Sequence, residues 1–299
     1  MMSRAVVIDG VCVSPERATI SVYDRGFLYG DGVFETIRTY EGKLFALDEH
    51  LDRLAHSAER VGIALPVSKE ALAREIADGL DAARMGASSN ESYIRVMLTR
   101  GAGPLGLDPA LALRPLRVIL VEPLIPLPSE LYRDGVTVVV RQIARAGDAA
   151  EGAKVSNYLE SLLALRDAKT QGAHEALIVS ADGSIREGTT SNVFAVCGGE
   201  LRTPGEDAGI LVGITRAHVL LLAKKAGLSV REGRLTVDEL LHADEAFLTS
   251  SLREILPIVR VGAHPIGSAS PGRVTRELHR SYRVMAGVGG GPMPWQPCS

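Results

Sequence analysis

Residues 151–196 read EGAKVSNYLESLLALRDAKTQGAHEALIVSADGSIREGTTSNVFAV. An apolar helix pattern covers 157–171, a strand pattern covers 175–180, Ala181-Asp182-Gly183 makes a turn, and SNVFAV (191–196) is a further strand after a short intervening one. The segment also holds Lys154, one of only six lysines among 33 basic residues, the others being Lys43, Lys69, Lys169, Lys224 and Lys225. Lys43 follows a hairpin turn, and the other four sit on polar faces of amphipathic helices. Lys154 instead lies between a strand and a helix N-terminus, where the helix field disfavours a cation and favours a neutral amine. A cofactor aldehyde needs such an amine to form a Schiff base, although position alone fits an ordinary surface lysine equally well.

Outward from this stretch the pattern stays mixed. Residues 5–22 read as a short antiparallel start, and 33–40 with KLFAL as a hairpin. Asp48 is placed to cap a helix carrying Leu51, Leu54, Ala55, Ala58 and Val61 and ended by Gly62. Ser68 caps a second helix, ended by Gly86, and strands follow at 92–99 and 116–122. PLIPLPSELYRDG (123–135) has three prolines in six residues and reads as a linker. Beyond it come a strand at 136–143, the stretch quoted above, a helix from Thr215 to Ala226, a strand at 245–249 and a helix from near Pro271. The expected organisation is α+β, with a small N-terminal domain (1–122), a linker (123–135), a larger C-terminal domain (136–285) and a disordered Gly/Pro-rich tail (286–299).

Composition removes several alternatives. A net charge of −3 does not suit a nucleic-acid coat, and 46% apolar residues do not suit a disordered chain. No apolar run of about 18 residues is present, so no membrane span is expected. The start MMSRAVVIDGV lacks an apolar signal core, and Cys12, Cys197 and Cys298 are odd in number and far apart, which together point to the cytoplasm. The histidines form no HxxxH or HxH pair, so no metal site is expected. Gly101 to Gly106 match GxGxxG, with Glu122 at fingerprint spacing, which leaves a nicotinamide-dependent oxidoreductase as a weak alternative. Pro109 and Pro115 leave no room for the helix on which the dinucleotide pyrophosphate would sit.

The quoted stretch, GILVGITR (209–216), YDRGFLYGDGVFETIR (23–38) and HLDRL (50–54) together resemble the fold-type IV pyridoxal-phosphate enzymes from about residue 5 to 285. That class includes branched-chain aminotransferases, D-amino-acid aminotransferases and aminodeoxychorismate lyases. The resemblance implies a cofactor between the two domains and a homodimer with active sites near its interface. It assigns Lys154 to the Schiff base and proton transfer, and Glu187 to the pyridine nitrogen. It assigns Arg53, Gly213, Ile214, Thr215, Ser250 and Ser251 to the phosphate, Tyr158 to the ring oxygen and Asn192 to the cofactor. Arg53 points away from the apolar stripe of its helix, and a planar guanidinium fork suits a phosphate.

For substrate, the resemblance assigns Phe34, Tyr93 and Arg95 to the pocket, and Tyr29 and Leu107 to positions that reach across a dimer interface. In the loop 99–109, Leu105 and Leu107 stand where D-amino-acid enzymes carry an arginine and a histidine for the substrate carboxylate. This favours branched-chain L-amino acids with 2-oxoglutarate as acceptor, and then the D-amino-acid enzyme and the lyase. Thr36 and Thr190-Ser191-Asn192 depart from the branched-chain pattern. So do Leu252 and Arg253, which replace two alanines in a turn that offers backbone N–H groups to the substrate carboxylate. Arg253 either adds a cation there or points to solvent.

Overall fold

The structure is a computed structural model that describes residues 4–84, 91–112, 114–142, 152–288 and 293–296. The chain forms two units, one from residues up to 125 together with 153–158, the other from 126–152 together with 159–299. They part within the stretch expected to link them.

The N-terminal unit contains β1 (Ala5–Ile8), β2 (Val11–Val13), α1 (Arg25–Tyr29), β3 (Gly32–Tyr40), β4 (Lys43–Leu44), α2 (Leu47–Arg60), α3 (Lys69–Arg84), β5 (Ser92–Thr99) and β6 (Leu116–Pro123). Its sheet has the order β2-β1-β6-β5-β3-β4, with every neighbouring pair antiparallel. The β1–β2 turn, Asp9-Gly10, has both residues at positive φ, the geometry whose twist matches a tight hairpin. Strand alternation sends Val33, Ile37, Ile94, Val96 and Leu98 into a core with Leu51, Leu54, Ile76 and Leu80 of α2 and α3. Helix α2 begins one residue before the expected cap. Ala46, at φ 53°, precedes it, and Asp48 lies in the first turn, where its charge suits the helix dipole. Gly62, at φ 66°, takes the left-handed conformation that ends the helix. Ser68 Oγ accepts from Ala71 N at the start of α3, and the Gly86 stop lies outside the described residues.

The other face of the same sheet carries Phe34, Thr36, Tyr93, Arg95 and Met97, as the register Phe34↔Met97 and Thr36↔Arg95 requires. Residues 153–158 return to this unit. Val155 bridges Val33, and Ser156 N donates to Gly32 O at 2.8 Å.

The C-terminal unit contains α4 (Ser129–Arg133), β7 (Val136–Gln142), α5 (Leu159–Thr170), β8 (Glu175–Val179), β9 (Ile185–Gly188), β10 (Asn192–Cys197), β11 (Glu200–Pro204), α6 (Ile214–Lys225), β12 (Ser229–Gly233), α7 (Val237–Leu241), β13 (Glu245–Ser250), β14 (Glu254–Val261), β15 (His264–Pro265) and α8 (Arg273–Met285). Its sheet runs β12-β11-β10-β13-β14-β7-β8-β9, with β15 added to β14. The β11–β12, β14–β7 and β7–β8 pairs are parallel. The core on one face gathers Val138, Leu177, Val193, Leu248, Leu256 and Ile258. On the other face α6 and α8 pack near β13, where Phe194 and Phe247 stack at 4.9 Å.

Three expectations change here. Residues 153–158, expected within the C-terminal domain (136–285), belong to the N-terminal unit. The second half of 123–135 is built into the C-terminal unit, since α4 buries Tyr132, whose hydroxyl donates to Arg253 O at 3.2 Å. In the tail, Met293–Gln296 forms a turn and Trp295 packs on the core and against His279, with ring centroids 5.1 Å apart. Residues 289–292 and 297–299, with Cys298, lie outside the described residues, as does the 143 end of the first expected C-terminal strand. Among the described residues between Gly106 and Leu116 there is one 3-10 turn (Pro109–Leu111) and no α-helix, so the GxGxxG match lacks its pyrophosphate helix. No helix among the described residues is long and apolar enough to cross a membrane.

Candidate active site

Lys154 is the one lysine of the six that is not exposed. Its backbone is held on both sides: its N–H donates to Ser57 Oγ on α2 at 3.1 Å, and its carbonyl accepts from Phe34 N on β3 at 3.0 Å. The side chain lies over the Phe34 ring, with Nζ 4.5 Å from the centroid, and Nζ donates to Tyr158 Oη at 3.4 Å. Tyr158 meets Phe34 edge-on at 5.2 Å, and Arg95 lies over the same ring at 3.8 Å. Phe34, Arg95, Lys154 and Tyr158 are therefore one cluster in the N-terminal unit, and Tyr93 shares its sheet face. The electron-rich Phe34 ring thus sits within cation–π distance of both the Arg95 guanidinium and the Lys154 nitrogen.

Behind that face lies a second cluster that sequence reasoning missed. Glu35 alternates with Phe34 and so points the other way, into the helices, where it is fully buried. Arg53 Nε and Nη2 donate to its two oxygens at 2.6 and 2.8 Å, and His50 Nδ1 lies 2.7 Å from Oε2. His50 and Arg53 are one turn apart on α2, so a single helix face supplies both partners. Burial on its own would raise the Glu35 pKa, but the Arg53 charge and the hydrogen bonds hold it at about 2. Burial pushes His50 down. Arg53 is thus not a solvated surface arginine; its side chain is 12% exposed and fixed on a carboxylate.

The hydroxyl of Tyr29, on α1, accepts from Gly106 N at 3.2 Å. The buried Arg25 donates to Gly106 O and Leu107 O at 2.7 and 3.2 Å and pairs with Asp31 at 2.9 Å. This cation fastens the 101–109 loop from beneath, and the loop presents Leu105 and Leu107 outward, 68% and 78% exposed.

The C-terminal unit brings the remaining sequence candidates together around the start of α6. Glu187 on β9 accepts from Leu211 N at 3.1 Å, and Asn192 Nδ2 on β10 donates to Leu211 O at 2.8 Å. The two side chains thus grip one residue from both ends and fix the approach to Gly213, which caps α6 with no side-chain partner. A Cβ at Gly213 would collide with Asn192 Oδ1, so any other residue here has to displace the Asn192 side chain from its place. Ile214 and Thr215 are buried in the first turn. Across the β10–β13 pair, Asn192 sits opposite Thr249, whose Oγ1 is buried with no partner among the described residues.

Ser250, Ser251, Leu252 and Arg253 form the turn from β13 to β14. Arg253 neither stands as a loose cation nor points to solvent. Its Nη1 pairs with the fully buried Glu175 at 2.7 Å, its Nε donates to Ser250 Oγ at 3.0 Å, and its Nη2 donates to Thr190 Oγ1 and O at 2.7 and 3.1 Å. Glu175 Oε1 also accepts from Thr189 Oγ1, Thr190 N and Ser191 Oγ at 3.0, 2.6 and 3.0 Å.

The class IV aminotransferase family model matches residues 32–261. The chain belongs to this family. It is 38% identical over 280 residues to a putative branched-chain-amino-acid aminotransferase of Methanocaldococcus jannaschii, covering 93% of this chain and 95% of that one. It is 33% identical over 278 residues to the D-alanine aminotransferase of Bacillus licheniformis, at 93% and 95% coverage. Among solved structures it is similar to the T.th. branched-chain amino acid aminotransferase complexed with N-(5'-phosphopyridoxyl)-L-glutamate, with a TM-score of 0.87, 31% identity and 96% of each chain covered.

The aminotransferase's residues fit a phosphorylated pyridoxal group. In the C-terminal unit the features are the uncapped amides at the start of α6, the glycine that leaves them open, and the orphaned Thr249 hydroxyl on a neighbouring strand. In the N-terminal unit they are a lysine amine set on an aromatic ring and an arginine with a fixed guanidinium. Sequence reading singles out Lys154, Glu187, Asn192 and Gly213 by motif and does not single out Glu35, His50, Arg25, Glu175 or Thr249. The only sequence signal for Glu35 was a charge within the otherwise apolar alternation of VFETI.

Proposed function

We propose that this aminotransferase uses pyridoxal 5'-phosphate bound through Lys154 to move the amino group of branched-chain L-amino acids to 2-oxoglutarate. The observation that carries this reading is Lys154 itself, half-buried, clamped through both backbone groups and set over Phe34. When bound, the cofactor supplies an aldehyde for the lysine amine and a ring that takes up the electrons released at the substrate α-carbon. Once the substrate amine has displaced it from the aldehyde, the freed Lys154 Nζ would carry the proton released at the α-carbon, and the Tyr158 hydroxyl beside it would hydrogen-bond the ring oxygen. In the C-terminal unit Glu187 keeps the pyridine nitrogen protonated, Asn192 holds the cofactor, and Gly213, Ile214, Thr215, Ser250 and Ser251 hold phosphate oxygens. In the N-terminal unit Arg53 adds the guanidinium fork.

In the N-terminal unit Phe34, Tyr93 and Arg95 serve the substrate; in the C-terminal unit the β13–β14 turn offers Leu252. The apolar 101–109 loop favours an aliphatic side chain, at about 25 cal/mol per Å² buried. D-amino-acid enzymes carry a cation on this loop; here Arg25 is engaged by backbone carbonyls and Asp31, and Arg100 by Asp31 and the carbonyls of Val61 and Gly62. Tyr23, Phe27, Leu105 and Leu107 form an exposed apolar set on the N-terminal unit. That set supports a homodimer in which Tyr29 and Leu107 reach the partner's pocket. We place the enzyme in the cytoplasm.

Borohydride reduction of the yellow holoenzyme, followed by peptide mass mapping, is expected to fix the cofactor on Lys154; a label on another lysine overturns the assignment. A half-reaction screen with both enantiomers of leucine, alanine and glutamate tests the substrate. Bleaching by D-isomers alone moves the enzyme to the D-amino-acid branch, and release of 4-aminobenzoate from aminodeoxychorismate moves it to the lyases.

A further inference from the structure

The Arg253–Glu175 pair has no place in the chemistry above, yet among the described residues it is the most heavily bonded buried ion pair of the C-terminal unit. Glu175 opens β8, is fully buried and has one oxygen filled by three hydroxyls and one amide of the Thr189–Ser191 loop. Its other oxygen takes Arg253 at 2.7 Å. The Arg253 fork reaches three places at once: its own turn through Ser250, the 189–191 loop through Thr190, and the β8 start through Glu175, with His174 Nε2 3.4 Å away. The same turn is pinned from outside its own strand pair by the Tyr132 hydroxyl on Arg253 O and by Glu254, which holds φ 58° while its carboxylate accepts from His279 and Arg283. Every donor nitrogen of the Arg253 fork is directed at protein atoms, which leaves it poorly set to receive a substrate carboxylate.

We infer that Arg253 is a positioning residue: through Glu175 it ties the Ser250–Arg253 turn to the Thr189–Ser191 loop, and it does not itself bind the substrate. The inference rests on the proposed function in one respect, that the turn carrying Leu252 meets the substrate. A buried carboxylate whose neutral donors all come from one loop holds that loop alone; the arginine adds the turn. The small residues that this turn carries in the branched-chain pattern cannot make that tie.

The test uses the holoenzyme and its cofactor-free form, with R253K, R253M, E175Q and the double variant E175Q/R253M. R253M is expected to lower Tm by about 5 °C in both forms, because it strands a buried carboxylate. The double variant is expected to lose clearly less than the sum of the two single losses, the mark of a shared interaction. R253K is expected to recover part of the loss, since an ammonium keeps the charge but reaches fewer of the three partners. In turnover, R253M is expected to raise KM about 10-fold for leucine and for glutamate alike, with kcat within about 3-fold.

Strictly additive Tm losses overturn the tie. A KM increase confined to glutamate and 2-oxoglutarate overturns the positioning role and makes Arg253 a substrate cation. Coupled Tm losses with unchanged KM values overturn the link from tie to substrate. Absence of transamination by the unaltered enzyme overturns the proposed function instead, and the Tm cycle still reads the tie.

Discussion

Glu35 in the N-terminal unit and Glu175 in the C-terminal unit are both buried carboxylates met by an arginine with a histidine close by, but they are built for different ends. Glu35 takes both its cationic partner and its histidine from one helix, three residues apart, and lies on a strand directly behind Phe34. Glu175 takes its partners from two separate loops, at 189–191 and at Arg253 of the β13–β14 turn. In the first case helix–sheet packing has already fixed the geometry, and the carboxylate serves to aim an arginine. In the second, the carboxylate joins two loops that lie at the adjacent ends of the paired strands β10 and β13. A charge pair on rigid elements therefore places a side chain, whereas a charge pair between loops places backbone.

The sharpest way to break this comparison is Glu35→Gln. Arg53 keeps its charge with only 12% of its side chain exposed, so the loss is expected at about 3–5 kcal/mol by denaturant unfolding. Weakened retention of pyridoxal phosphate by the purified protein should accompany it. Full stability in this variant would show that Arg53 is placed by packing alone.

Acid gives the next largest effect, and its sign is fixed by the pKa directions. The folded Glu35 value of about 2 lies below the ordinary value near 4.3, so the folded state binds protons less readily. Its stabilisation, roughly 3 kcal/mol, is complete above about pH 4.5 and lost as pH falls toward 2. His50, lowered by burial, and His174, lowered to about 4 by burial and the Arg253 charge, shift the same way, so acid begins to cost stability below about pH 6.5. Urea titrations across pH 2–7 should show a shallower acid limb for Glu35→Gln. An identical limb would remove Glu35 as its source.

Glu175→Gln comes third. Its amide oxygen can still accept from the 189–191 loop, so the expected loss is about 1–3 kcal/mol, smaller than for Glu35. If Glu175→Gln proves the costlier change, the loop pair and not the helix pair is the main anchor.

What was legible in the sequence follows the same division. Period-2 alternation and apolar helix stripes gave β3, β5, α2 and α3, because their side chains answer to local geometry. Motif spacing gave Lys154, Glu187, Asn192 and Gly213. The long strand β14 escaped because Pro257 argues against a central strand. Pairing with β7 begins only at Ile258, so on that side the proline has no ladder hydrogen bond to make. Glu35 and Glu175 escaped because a buried charge is recognisable only through its partners. Those lie 15 and 18 residues away for Glu35, and for Glu175 they lie 14 to 16 residues away in one loop and 78 away at Arg253. Arg53 was read as facing away from the apolar stripe, which is correct for a helix alone and incomplete once a strand offers a carboxylate to that side.

The smallest expected effect concerns the tail and shows how far the C-terminal arrangement extends. Trp295 is the only tryptophan of the chain, so intrinsic emission reports this one contact. It lies against His279, with Arg276 and Arg280 about 5.9 and 5.8 Å from its ring, and His279 in turn holds Glu254 at the end of the β13–β14 turn. Half-burial of an indole places Trp295→Ala at about 1 kcal/mol, a Tm shift of about 2–4 °C. Emission of the folded enzyme should be blue-shifted and should move red together with global unfolding, because the ring leaves α8 only when the core does. A red emission in the folded enzyme would detach the tail from His279 and confine the support of the turn to Tyr132, Arg283 and the Arg253–Glu175 tie.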